Sequence, residues 1–245
     1  MKKLITTIFV LLISSIYTFC QLNQEGFTIG GQLSKSYVKP AYGSTFKDNF
    51  NYINLDIRYY GVSEHFAGMV DATGAADLVI MLGMVLAGKK DFELTGKMNK
   101  IQEYAGANAK AWGADWSYFQ ANMAWGAEGI YIGGDFDMGS IGVTKMQNTA
   151  DFSAQPNGDG YIAVGGVVYL INKMMRSSLR IDKLWLGRYS TQKGMALVLE
   201  SDVALSKYFY AGVYYKFKRF KDGGEGRPRF AVNTFGIRTG IWIGL

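Results

Sequence analysis

Phe230-Ala-Val-Asn-Thr-Phe-Gly-Ile-Arg-Thr-Gly-Ile-Trp-Ile-Gly-Leu245 alternates almost without a break. Phe235, Ile237, Thr239, Ile241, Ile243 and Leu245 share one parity; Thr234, Gly236, Arg238, Gly240, Trp242 and Gly244 share the other. Neighbouring side chains of a strand point to opposite faces, so this period of two gives one apolar face and one small or polar face. A single segment of this kind fits a soluble sheet as well as a membrane-spanning one. What decides is how often the pattern returns and what precedes it.

It returns along most of the chain. Phe27, Ile29 and Leu33 alternate with Thr28, Gln32 and Ser34, and Ile53, Leu55, Ile57 and Tyr59 alternate with Asn54, Asp56, Arg58 and Tyr60. Phe119, Ala121, Met123 and Trp125 oppose Tyr118, Gln120 and Asn122; Ile130, Ile132, Phe136 and Met138 oppose Tyr131, Asp135 and Asp137. Met195, Leu197, Leu199 and Val203 oppose Glu200 and Asp202, and Phe209 to Phe217 oppose Tyr210, Tyr214, Lys216 and Lys218. Phe66 to Thr73 reads as a weaker strand, and Tyr161 to Ile171 is too uniformly apolar for its faces to be assigned. Ser178 to Tyr189 begins with Leu179 and Ile181 against Arg180 and Asp182 and then changes parity, which predicts a bulge.

Met1-Lys2-Lys3 followed by apolar Leu4 to Phe19, with Thr18 and Cys20 placed for cleavage before Gln21, has the form of a secretory signal peptide. Acylation of Cys20 after lipoprotein processing is the competing reading, disfavoured by the bulky Phe19, and an uncleaved anchor helix is a third. Cleavage after Cys20 leaves no cysteine, which excludes disulfides, thiol nucleophiles and thiolate metal sites. The net charge of +6, two units of it in the signal segment, is mild and dispersed and does not point to nucleic acid.

With 31 glycines, 16 tyrosines and 3 prolines, and with 15% aromatic and 49% hydrophobic residues, the chain is unlike a disordered one. Glycine interleaved with large rings suits barrel strands that bend and carry aromatic girdles. The longest apolar run after the signal is Leu78 to Ala87, half the length of a spanning helix. An exported chain built of such strands crosses a membrane only as a closed barrel, because no backbone edge is allowed to face lipid. The pattern predicts an all-β, antiparallel transmembrane β-barrel over 21–245, after a signal peptide over 1–20. It has about ten strands, eight or twelve being the alternatives. Short turns near 63, 127, 174 and 206 and longer connections at the other end place both termini in the periplasm. Ala75 to Gly113 reads as an extra strand pair, as a short helix over Leu78 to Ala87 on or in the barrel, or as a loop folded inward as a constriction.

The charged residues on the inner parity are Asp56, Arg58, Asp71, Asp135, Asp137, Arg180, Asp182, Glu200, Asp202, Lys216, Lys218 and Arg238. Asp135 with Asp137, and Glu200 with Asp202, have the spacing of an acid/base pair. In a narrow interior, however, charge persists only when paired, so the expected arrangement is a lumen charge network rather than a catalytic site. His65, the single histidine, sits in a short turn beside Ser63 and Glu64, away from the loop end where a barrel enzyme would work. No metal or cofactor site is expected: Gln155-Pro-Asn-Gly-Asp-Gly160 lacks the first acid of a calcium loop, and Gly166 stands where its closing Glu belongs. Lys216, Lys218, Arg219, Lys221, Arg227 and Arg229 flank one outer loop.

On these residues the chain resembles the small outer-membrane β-barrel proteins of Gram-negative bacteria, and the start at Gln21 is similar to exported proteins of the Bacteroidota. A departure is Leu245 where many such barrels end in an aromatic residue; Trp242 is near but on the inner parity. The resemblance implies a bacterial outer-membrane location, with membrane lipid, lipopolysaccharide and other envelope proteins as partners. The expected role is non-enzymatic, a structural, adhesive or accessory component acting through its outer loops. The alternative is a passive pore for small solutes or ions, and a barrel enzyme acting on lipid or peptide ranks below both.

Overall fold

A computed structural model describes residues 22–40, 48–74, 111–145, 158–186, 192–221 and 230–245. The signal segment, most of Ala75 to Gly113, and Arg227 and Arg229 lie outside the described residues, as does the first half (155–157) of the loop read against a calcium site. Ten strands follow in order: β1 Gly26–Pro40, β2 Asp48–Val62, β3 Phe66–Asp71, β4 Ala111–Ala127, β5 Ile130–Lys145, β6 Gly158–Ile171, β7 Met175–Leu186, β8 Gln192–Ala204, β9 Phe209–Phe220 and β10 Phe230–Gly244. Each pairs antiparallel with the next, and β1 pairs with β10 from Gly26↔Gly244 to Pro40↔Phe230, which closes the barrel. The stretch that decides the fold from sequence is thus the strand that seals the seam.

Gly26 and Gly244 share one end of the barrel with four short turns. The tightest turn, Glu128-Gly129, has both residues at positive φ (51° and 82°), the twist that a two-residue hairpin requires. A side chain on Gly129 would also strike the Ile171 carbonyl.

Alternation sorts the wall into two faces. Outward stand Ile29, Leu33, Ile132, Ile181, Leu199, Phe235 and Ile237, all exposed. Rings collect near the turn end, where Phe27 lies 4.9 Å from Tyr59 and Phe66 lies 6.1 Å from Trp125. This is the apolar belt and girdle of a barrel surrounded by lipid.

Two local expectations are corrected. β7 has no bulge: it keeps unbroken register with β6 and β8 from Arg176 to Leu186. Its pattern changes because the environment does. Near the loop end Leu184 and Leu186 are buried inside while Lys183 faces out. The irregularity lies in β4 between Ser117 and Phe119, so Tyr118 is the extra residue and Ser117 takes the inner face.

Candidate functional site

Alternation carries the charged residues into the lumen, and strand register decides which of them meet. Arg58 on β2 is central. Its Nε lies 2.9 Å from Asp56 and 3.1 Å from Asp71, and its Nη1 donates to Glu200 Oε2 on β8 at 3.1 Å. Glu200 also meets Arg180 on β7 at 3.3 Å and Arg238 on β10 at 3.5 Å. Three guanidiniums from three strands therefore converge on one carboxylate, and all four side chains are buried.

Two branches leave this hub. Toward the turn end, Asp202 accepts from Arg238 Nε at 2.6 Å and from Arg176 Nη2 at 3.3 Å. The Arg176 guanidinium stacks 3.2 Å from the centroid of the Tyr60 ring and 5.1 Å from that of Trp242. Across the lumen, Arg180 lies 3.8 Å from Asp135, which accepts from Gln120 at 3.1 Å and Asn122 at 3.2 Å. Asp137 accepts from Ser117 at 2.6 Å and Tyr161 at 2.9 Å, and Lys218 lies 3.5 Å away while donating to Tyr161. Tyr210 donates to Asp56 at 2.6 Å. Asp182 is buried across Gly165 from Asp135, and Lys216 is half-buried on the inner face of β9.

All twelve residues selected by parity face the lumen. Arg176 was missed: it lies two residues before the first clean alternation of β7, next to the turn. Of the basic set near the β9–β10 connection, Lys216 and Lys218 turn inward and Arg219 and Lys221 outward. Asp135 and Asp137 do share a face, but each is held by amide, hydroxyl or cationic donors. Glu200 and Asp202 are likewise bound to arginine. His65 is exposed in the β2–β3 turn, at the end of the barrel opposite Ser117 and Asp137, and its backbone carbonyl accepts from Gly126.

Glycine makes room for these pairs. A Cβ at Gly212 on β9 would come within 2.1 Å of Asp202 Oδ1, so only glycine lets Asp202 and Arg238 reach each other over that strand. Space left at the hub is small: the cavity between Tyr60, Tyr169, Arg176, Ser178, Glu200, Asp202 and Arg238 measures about 10 Å³, room for about one water.

The turn end has a second closure. Leu22 is fully buried against Tyr60, Met69, Ala204 and Trp242. Its N–H donates to the carbonyl of Lys173 at 3.0 Å. Lys173 belongs to the β6–β7 turn, which stands opposite β1 in the ring of ten strands. Residues 22–25 therefore cross the mouth as a strap.

An apolar belt, a closed ring of strands and an ion-paired interior give the build of a transmembrane β-barrel with a filled lumen. No protein-family model matches the chain, and no curated protein matches it in sequence. Among solved structures it is similar to Ail, the attachment invasion locus protein of Yersinia pestis (12% identity, 90% of this chain and 99% of that one, TM-score 0.36). It is also similar to the CymD monoaromatic hydrocarbon channel (7%, 91% and 90%, TM-score 0.40) and to the outer membrane protein OprG from Pseudomonas aeruginosa (9%, 92% and 99%, TM-score 0.30). These likenesses are of barrel build only.

Proposed function

We propose that the chain is a non-enzymatic barrel of a bacterial outer membrane, with its loop end facing outward and its lumen closed by paired charges. Its role is structural, adhesive or accessory, exerted from the loop end and the outer wall. The observation that carries this is Glu200 holding Arg58, Arg180 and Arg238 in the middle of the lumen. A pore needs a continuous wet path. Here the polar groups that would line one are spent on each other, and ten strands enclose little more than their own side chains.

Conductance of the refolded protein in a planar bilayer tests it. A silent wild type with a leaky Glu200→Gln variant supports the plug. A steady, charge-selective current through the wild type would favour a passive pore instead.

A further inference from the structure

Four cations face outward at the loop end of β7, β8 and β9. Lys183 and Arg219 flank Met195 in one cross-strand row. In the next row Lys221 donates its backbone N–H to the carbonyl of Lys193 at 2.8 Å, and both side chains have outward parity. All four are exposed, and the two rows are roughly 7 Å apart, the rise of two strand residues. Among the described residues of these strands every acid (Asp182, Glu200, Asp202) faces the lumen. Lys193 and Lys221 are directly opposite one another on neighbouring strands, where like charges repel, and Lys183 and Arg219 stand on either side of Met195 in the row beside them. An anion seated between them reverses the sign of that term.

A second feature lies on the same strands. Toward the middle of the belt, Leu179, Leu199, Val213 and Phe235 wall a groove of about 400 Å³. Ser177 and Ser201 form its floor, their hydroxyls 2.9 Å apart. Leu179 is four residues from Lys183, about 13 Å along β7. The cations thus sit at the edge of the belt and the groove inside it, in line.

We infer that this face docks a phosphorylated glycolipid of the surrounding leaflet, with phosphate between Lys183, Lys193, Arg219 and Lys221 and an acyl chain in the groove. The inference rests on the reading above that the barrel spans an outer membrane with its loop end outward. Four cations in two rows exceed what one phosphodiester balances. A sugar phosphate monoester, carrying close to two negative charges near neutral pH, or a headgroup with more than one phosphate matches them.

The test uses the refolded protein in phosphatidylcholine bilayers doped with lipid A or, separately, with phosphatidylglycerol. Lipid retained after detergent extraction is counted by native mass spectrometry. Wild type retains lipid A in preference to phosphatidylglycerol. The quadruple variant Lys183→Gln/Lys193→Gln/Arg219→Gln/Lys221→Gln binds it at least about tenfold more weakly, each headgroup-level cation being worth a few-fold. Ser201→Phe, which fills the groove and leaves every charge in place, also lowers retention, and it decides the matter if the quadruple variant fails to fold. Equal retention of phosphatidylglycerol, or lipid A retention unchanged in both variants, overturns the inference. A wild type that enters the bilayer but retains no lipid A also overturns it and leaves the membrane reading standing. Protein that does not enter neutral bilayers at all overturns the membrane reading.

Discussion

Arg58 and Glu200 are 142 residues apart in sequence and 3.1 Å apart across the lumen, joining β2 to β8. Neither strand pairs with the other, so the contact is a strut through the interior rather than a rung of the wall. Each partner also serves others: Arg58 neutralises Asp56 and Asp71, and Glu200 holds Arg180 and Arg238. Removing one member of a buried pair leaves uncompensated charge and costs about 3–5 kcal/mol. Arg58→Met and Glu200→Met are each expected to fall in that range by urea unfolding in lipid vesicles. The double variant should cost less than the two together, with a coupling of about 0.5–3 kcal/mol. Strict additivity would mean that the strut is incidental.

The strap over the turn end makes a separate prediction. Leu22 fills a pocket between Tyr60, Met69 and Trp242, so Leu22→Asp places a carboxylate against apolar surface and should release the strap. Ser178 lines the small cavity at the hub. With Cys20 replaced by Ser, a cysteine introduced by Ser178→Cys should react slowly with a water-soluble maleimide. Adding Leu22→Asp should raise the rate by an order of magnitude or more. Equal rates would mean that the strap does not control access.

Parity was legible in the sequence; partnership was not. Alternation alone assigned Asp135, Glu200 and Arg238 to the inner face, because the period of a strand is a local property. That Glu200 collects arginines from β2, β7 and β10 depends on register among distant strands, which no local pattern records. Arg176 escaped notice because one residue beside a turn shows no period. The parity change in β7 was visible but misread as a bulge. A rule of apolar outside and polar inside fails at the loop end, where Leu184 and Leu186 go in and Lys183 goes out. The Leu22 strap has no periodicity at all, and only its burial in the folded chain reveals it.

Gly212 tests whether space, rather than backbone freedom, dictates the inner glycines. Gly212→Val should expel Asp202 from Arg238, because even its Cβ would lie 2.1 Å from the carboxylate oxygen and 2.8 Å from the Ser201 carbonyl. The expected result is loss of the compact, heat-shifted band in electrophoresis. Gly166→Ala serves as the control on the outward face of β6, where the nearest atom to a new Cβ is 3.6 Å away, and should refold as the parent does. Equal tolerance at both positions would mean that the interior is more loosely packed than these contacts require.

Ile237 offers the most direct test of what surrounds the wall. It lies midway along β10, half exposed, on the outward face. On a protein bathed in water, replacing an exposed isoleucine with lysine changes stability by about 0.5 kcal/mol or less. At the midplane of a bilayer the same charge has no water to reach and costs about 2–4 kcal/mol, falling to about 0–1 kcal/mol near an interface. Ile237→Lys should therefore destabilise the barrel several times more than Phe209→Lys, at the turn-end edge of the belt. Both are measured by urea unfolding in the same vesicles. A matching small effect at both positions would place water, not lipid, against Ile237, and the apolar belt would then have to be covered by protein.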